Sequence, residues 1–324
     1  MNLSTAAPAP AKPIAEFPGH RSAVTAVAFT PDRSLVVSAD RDGAGRVWDV
    51  ATSKPGPRGD IPRSGDACRV VACGPNSRLA ALGADTAAGG VRLYDLTERT
   101  PVENATLRGS NGAVLALAVS PDGKLIAAGG EDATLRVWEP GAGFRGDARI
   151  ALPGHTKPIT AVAFAPDGHS AATGGADGSV RVWTLSRIRS SQRAAVHHPA
   201  GVDAVAYLPD GKGLVTACRD GRIRVWTLTA IRPSVRLEFA GHAGGTRVLA
   251  VAAADALAGT GDGSVVTNWD LRTGQATAVW EVPGGAGTSA AFTADGRYLA
   301  RGTAGGTVGV FRVAEKRASG RSHG

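Results

Sequence analysis

The chain has 324 residues, 43% of them apolar, so it can bury a large core, and its length alone suggests two domains. Lys and Arg outnumber Asp and Glu 36 to 28, but Lys12 and the segment 314–324 carry three of the eight surplus charges. The remaining body, near +5, suits plain solubility as well as weak attraction to polyanions, so charge alone decides nothing. No run approaches the roughly 18 apolar residues of a membrane span, and residues 1–12 lack the charged start and apolar middle of a secretion signal, so the expected location is cytoplasmic with no membrane contact.

The first patterned phrase is Ile14-Ala15-Glu16-Phe17-Pro18-Gly19-His20. It returns as Ile150-Ala151-Leu152-Pro153-Gly154-His155 and as Leu237-Glu238-Phe239-Ala240-Gly241-His242. Each copy reads as a short, polar strand ahead of a Gly-His pair. Next comes a run such as Ile159-Thr160-Ala161-Val162-Ala163-Phe164, too short for a helix and apolar on both faces, which suits a strand between neighbours. A turn follows: Pro31-Asp32-Arg33, Pro75-Asn76-Ser77, Pro121-Asp122-Gly123, Pro166-Asp167-Gly168 or Pro209-Asp210-Gly211. Proline presets the first turn dihedral, and Asp or Asn bonds back to its own backbone. Beyond it lie a run such as Leu214-Val215-Thr216-Ala217, an Asp-Gly turn, and a β-branched run closed by an aromatic residue.

That closing aromatic occurs seven times, at Trp48, Tyr94, Trp138, Trp183, Trp226, Trp269 and Phe311, with spacings of 46, 44, 45, 43, 43 and 42. A period of this length is the mark of one supersecondary unit copied along the chain, which overrides the two-domain expectation. Each unit has three clear strands and a weaker fourth. The seventh unit stops near Val313 without a fourth strand, and the N-terminal phrase precedes any complete unit. The strand at 14–17 is therefore expected to complete the last blade, since a ring leaves no terminal repeat with an exposed core. The expected fold is all-β, a seven-bladed β-propeller of four-stranded antiparallel blades over 13–313, with tails at 1–12 and 314–324.

Gly-His, then Pro-Asp-Gly, then Asp six residues before Trp, in ordered copies across nearly the whole chain, resembles the WD-repeat family of β-propellers. The resemblance implies hydrogen-bonded sets of His, Ser or Thr, Asp and Trp inside the blades. Three blades match: His20, Ser38, Asp42 and Trp48; His155, Thr173, Asp177 and Trp183; His198, Thr216, Asp220 and Trp226. Elsewhere Ser110 replaces the histidine beside Asp132 and Trp138, Tyr94 lacks its Asp, Asp262 lies seven residues before Trp269, and Phe311 has neither partner. Those blades are expected to rely on packing. The resemblance also implies a rigid platform for protein partners, monomeric by itself, using the face that bears the turns before the conserved Asp and the start of the inner strand. Mapped here, that face carries Arg41, Glu131, Thr160, Asp203, Arg219 and Arg247.

Other chemistry is sparse. The His-Asp-Ser sets recur beside Trp, which favours a structural role over a nucleophilic one. Gly141-Ala142-Gly143-Phe144-Arg145-Gly146 matches G-x-G-x-x-G but joins antiparallel strands rather than opening a helix, so no cofactor is expected. Cys68, Cys73 and Cys218 have no metal-ligand spacing and read as small core residues. No H-E-x-x-H, Walker or G-x-S-x-G motif occurs, so the chain is not expected to be an enzyme; a propeller enzyme would need carboxylates in its channel, where Asp203 stands out. Two readings remain open for Arg181, Arg187, Arg189, Arg193, Arg232 and Arg236: a basic patch for phosphates or acidic protein, or charges that protect exposed strand edges. The recurring arginine two residues before the aromatic (Arg46, Arg92, Arg136, Arg181, Arg224) is expected to pack its aliphatic stem on the strand face.

Overall fold

The computed structural model describes residues 9–313 apart from 64, 88, 142–145, 187–188, 229–231, 243–244, 253–255 and 262. The G-x-G-x-x-G match, Arg187, Asp262 and the segment 314–324 thus lie wholly or partly outside the described residues.

The strands form seven sheets. Blade one is Val24–Phe29, Leu35–Asp40, Gly45–Asp49 and Gly56–Ile61, and every neighbouring pair is antiparallel. The same order repeats in blades two to six, whose inner strands are Cys68–Cys73, Val114–Val119, Ile159–Phe164, Val202–Tyr207 and Val248–Ala252. Blade seven takes Ser289–Phe292, Tyr298–Gly302 and Thr307–Arg312 from the end of the chain and Lys12–Pro18 from its beginning. Lys12–Pro18 pairs antiparallel with Thr307–Arg312, which is the expected closure.

The chain start does more than close the ring. Ala9–Pro10 adds a parallel fifth strand to Ala276–Glu281 of blade six, and Ala11 N–H donates to the Glu281 carbonyl at 2.7 Å. Of the expected tail 1–12, residues 9–12 are therefore built into blades six and seven.

Burial explains the pattern of each blade. The second strand is apolar on both faces because it is covered on both, as in Leu35–Asp40, which is buried at every position. The outermost strand faces water and is polar at its start, as in Ser191–His197 and Ser234–Ala240. Cores form between blades. Trp48 packs with Val24, Val27 and Val36 of its own blade and with Phe17, Ala300, Val308 and Val310 of blade seven. The Phe17 and Trp48 rings stack at 5.1 Å.

In every Pro-Asp or Pro-Asn turn the Asp or Asn side chain accepts a backbone N–H two residues on, and three turns add a hydroxyl to the plan. Thr30 Oγ1 donates to Asp32 at 2.7 Å, and the same Asp32 oxygen accepts from Ser34 N–H at 3.0 Å. Ser120 with Asp122 repeats it. So does Thr293 with Asp295, where Ala294 replaces the proline and hides the seventh turn from a proline-based reading. The last turn residue is left-handed, which glycine supplies at Gly123 (φ 74) and Gly296 (φ 66).

Candidate interaction face

Two linked hydrogen-bonded sets stand behind the face. In blade four, His155 Nδ1 lies 3.1 Å from both Asp177 oxygens, its Nε2 lies 2.7 Å from Thr173 Oγ1, and Trp183 Nε1 donates to the same hydroxyl at 2.9 Å. One proton arrangement satisfies all four groups. Nδ1–H donates to the carboxylate, the threonine hydroxyl donates to Nε2, and its oxygen accepts the indole proton. Burial lowers the His155 pKa in spite of Asp177, in keeping with a neutral ring. Burial opposes the Asp177 charge, but donation from Thr156 and Ser179 N–H, Ser179 hydroxyl and His155 holds its carboxyl far below the usual range.

Blade one reaches the same geometry by another route. His20 Nε2 meets Ser38 at 2.7 Å and Trp48 Nε1 donates to Ser38 at 2.7 Å, but Nδ1 donates to Asp40, at 2.8 Å, and not to Asp42. The expected Asp42 instead faces Arg63 at 3.3 Å. Asp40 ends the second strand, in the place that Gly175 holds in blade four. A Cβ at Gly175 would come within 2.4 Å of His155 Nδ1 and 2.6 Å of Asp177, so one of the two positions must give way to the other.

Blade five lacks its carboxylate. His198 and Trp226 share Thr216 at 2.9 Å each, but His198 Nδ1 is buried with no hydrogen-bond partner among the described residues, and Asp220 is held by Arg224 at 2.7 Å. Burial and then the Arg224 charge push the His198 pKa down to about 4. The expected four-member set is here a three-member one.

Blade seven holds a substitute that the sequence pattern does not announce. Arg301 occupies the strand position of Ser38 and Thr173, 3% exposed, with its guanidinium 5.1 Å from the Phe311 ring centroid. It donates to the carbonyls of Val282 (3.3 Å), Pro283 (2.5 Å) and Gly285 (2.6 Å). Phe311 was expected to have no polar partner, but a stacked guanidinium replaces the whole His-Ser-Trp chain. In blade three, Trp138 Nε1 is satisfied by the Arg108 carbonyl at 3.1 Å, so packing is not its sole support either.

The face itself is set by two concentric rings. In blades one to five the residue that follows the second strand donates its N–H to the residue just ahead of the inner strand: Arg41 to Ala23, Asp85 to Ala67, Glu131 to Ala113, Ala176 to Pro158 and Arg219 to Gly201. Inside lies a ring of residues from the start of each inner strand, Thr25, Arg69, Leu115, Thr160, Asp203, Arg247 and Thr288. In blades one to five it is a bulged position, which turns an extra side chain towards the channel mouth. The channel encloses about 520 Å³ and is lined by all seven inner strands.

The six positions mapped from sequence fall on these rings. Arg41, Glu131 and Arg219 are on the outer ring; Thr160, Asp203 and Arg247 are on the inner one. Arg219 and Asp203 pair at 2.8 Å. Sequence reading missed Arg69 and Asp85, which make the corresponding pair in blade two at 2.5 Å, so Arg69 joins Asp203 as a charged residue of the inner strands. The signal was available as the second residue of the inner strand in blades one to five and the residue just ahead of it in blades six and seven. Thr25, Thr160 and Thr288 are not free donors, since each hydroxyl donates to a carbonyl of the next blade, Cys68, Val202 and Val24.

The comparisons with known proteins accord with this architecture. The family described as "WD domain, G-beta repeat" matches residues 11–49, 102–139, 147–184 and 190–227. The chain belongs to the WD-repeat family. The matched segments are those that end at Trp48, Trp138, Trp183 and Trp226, whereas the divergent blades around Tyr94, Trp269 and Phe311 are unmatched. WD repeat-containing protein 3 of Mus musculus is 29% identical over 143 residues, 43% of this chain and 14% of that protein. Ribosome biogenesis protein ytm1 of Pyrenophora tritici-repentis is 31% identical over 129 residues, 39% and 27% respectively. Small ribosomal subunit protein RACK1 of Caenorhabditis elegans is 28% identical over 136 residues, 37% and 38%. The alignments thus span well under half the length of these relatives.

Within this WD-repeat propeller the hydroxyls beside histidine are inaccessible, with Ser38, Thr173 and Thr216 each 0% exposed, which bars them from attacking a substrate. Among the described residues no group of three or more His, Cys, Asp or Glu could hold a metal ion. The recurrent arginines do more than pack their stems. Arg92 meets Asp66 at 3.3 Å, Arg224 meets both Asp220 and Glu238 at 2.7 Å, and Arg136 pairs with Asp132. Of the outer-strand arginines, Arg236 donates to the Leu271 carbonyl of blade six at 3.3 Å, as Arg58 of blade one donates to Thr97 of blade two at 3.2 Å. Both occupy the bulge of an outer strand and tie it to the following blade.

Proposed function

We propose that this WD-repeat propeller is a non-catalytic scaffold that holds protein partners on the two-ring face around the channel mouth. The observation that carries the reading is the arrangement of the rings. Arg41, Arg69, Arg219 and Arg247 stand exposed on a backbone frame that repeats from blade to blade. A rigid frame presents these side chains without the ordering cost that a loop surface would meet on binding. The relatives' printed names, which include ribosome biogenesis proteins, an APC/C activator and an actin-interacting protein, are varied, and this supports a shared mode of holding partners rather than a shared reaction.

The alternative is a polyanion surface on the outer strands of blades four and five. It has less support, because Arg236, though exposed, is engaged with the Leu271 carbonyl, and the other exposed arginines of the patch are Arg189, Arg193 and Arg232. A tagged capture from the native host's lysate at physiological salt, with nuclease, separates the two. Scaffold function predicts a protein that is retained after nuclease and lost with Arg41→Glu combined with Arg219→Glu. Retention that vanishes with nuclease, or that survives this pair of substitutions but not Arg189→Glu with Arg193→Glu, would transfer the function to the outer strands.

A further inference from the structure

We infer that the segment bound at the channel mouth is acidic: a short stretch of protein whose separated Asp or Glu side chains meet the arginines of the two rings. This rests on the reading of that face as the partner surface, and it adds the chemistry of the partner. The two ion pairs at the mouth are asymmetric. In each, the carboxylate is the covered member and the guanidinium the exposed one: Arg69 is 53% exposed against 25% for Asp85, and Arg219 56% against 12% for Asp203. Each pair cancels in formal charge but offers its positive end to whatever approaches.

The unpaired charges add to this. Arg41 on the outer ring and Arg247 on the inner one are exposed and meet no carboxylate among the described residues, and neither do Arg21 and Lys157, which follow His20 and His155 on the same face. Against them stands Glu131, one of whose oxygens accepts the Ala113 N–H at 3.1 Å. The neutral donors are engaged, because the ring threonines are bound to carbonyls of the next blade. A concave mouth with low-dielectric walls concentrates the resulting positive field.

The same layout favours a peptide over a nucleic acid. Asp85, Glu131 and Asp203 are fixed between the arginines, so a backbone charged at every phosphate would meet repulsion at each of them. A peptide can place carboxylates opposite Arg41, Arg69, Arg219 and Arg247 and neutral residues opposite the acids.

Fluorescence anisotropy on the full chain tests this with four labelled probes: a short peptide alternating Glu with Ala and Leu, its Gln-for-Glu copy, its Lys-for-Glu copy, and an oligothymidylate. The expected result is that the Glu peptide binds roughly tenfold more tightly than every other probe. Arg247→Glu and Arg41→Glu should each weaken it by roughly fivefold or more, while Arg312→Glu at the opposite end of blade seven leaves it unchanged. Equal or tighter binding of the Gln copy, the Lys copy or the oligothymidylate overturns the inference, as does the absence of measurable Glu-peptide binding. If the Gln copy binds as well and Arg247→Glu still weakens it, the acidic partner is wrong and the face reading survives. If Glu-peptide binding ignores both Arg41→Glu and Arg247→Glu, the face reading falls as well.

Discussion

Asp40 Oδ2 meets His20 Nδ1 at 2.8 Å from the end of the second strand, whereas Asp177 meets His155 from the turn beyond it, and the two carboxylates serve the same ring nitrogen in different blades. Asp40 also accepts the N–H groups of Asp42 and Ala44 at 3.0 Å each, so it is a buried acceptor of several donors. Asp40→Ala should therefore cost about 2–3 kcal/mol by leaving those donors unsatisfied. Asp42→Ala, which breaks an exposed pair with Arg63, should cost about 1 kcal/mol or less. Equilibrium urea unfolding of the two variants checks the order, which is the reverse of what the spacing from Trp48 implies.

Arg301 is predicted to be the most sensitive polar residue of blade seven. Arg301→Met keeps much of the length and loses the donors to Val282, Pro283 and Gly285, and should cost about 2–4 kcal/mol. Arg301→Lys should recover only part of this, because an ammonium lacks the planar fork and its stacking on Phe311. Thermal melts of the three proteins measure it.

Ring closure depends on Phe17, which is 4% exposed and stacked on Trp48. Phe17→Ala should lower stability by about 3–5 kcal/mol. Deleting residues 12–18 should lower the melting temperature far more, since it opens the ring and leaves the hydrogen-bonding edge of Thr307–Arg312 unpaired.

Acid should weaken the protein in two stages. His198 titrates near 6.5 when unfolded and about 4 when folded, so between those values the unfolded chain binds more protons and stability falls as the pH drops. Asp177, depressed in the folded state, adds a second loss that begins as the pH falls through its unfolded value of 3.8. Urea midpoints followed from pH 7 to pH 3 should decline through the first window, with His198 contributing at most about 3 kcal/mol and the lowered pKa values of His20 and His155 adding in the same direction. In His198→Gln that decline should shrink while the loss below pH 4 remains.

The blade unit was legible because its parts are local. Trp48 and Trp183 close their runs at a fixed distance from Gly-His, and Trp226 lies at the same distance from His198, where His197 stands in place of the glycine. Glycine eases the packing in blade four, because a Cβ at Gly154 would lie 3.1 Å from both Arg181 and Trp183. The polar networks were less legible because a carboxylate can reach a histidine from more than one backbone position. Spacing from Trp48 selected Asp42, while the strand end supplied Asp40. In blade five the expected Asp220 is present but drawn off by Arg224, a competition that depends on where Glu238 places the guanidinium. Arg301 went unnoticed because nothing in sequence distinguishes a buried arginine from an exposed one.

By itself the sequence determined the period, the number of blades and the closing strand, since alternating apolar runs, turn residues and a repeated aromatic act over a few residues and cannot be satisfied by another fold. Tertiary structure alone decided which groups share a hydrogen-bonded set, that residues 9–12 belong to blades six and seven, and that Arg69 and Asp203 project into one channel mouth. Those outcomes depend on the ring bringing residues from seven separate repeats to one axis. The electrostatics of that axis follow from which member of each ion pair the packing leaves exposed.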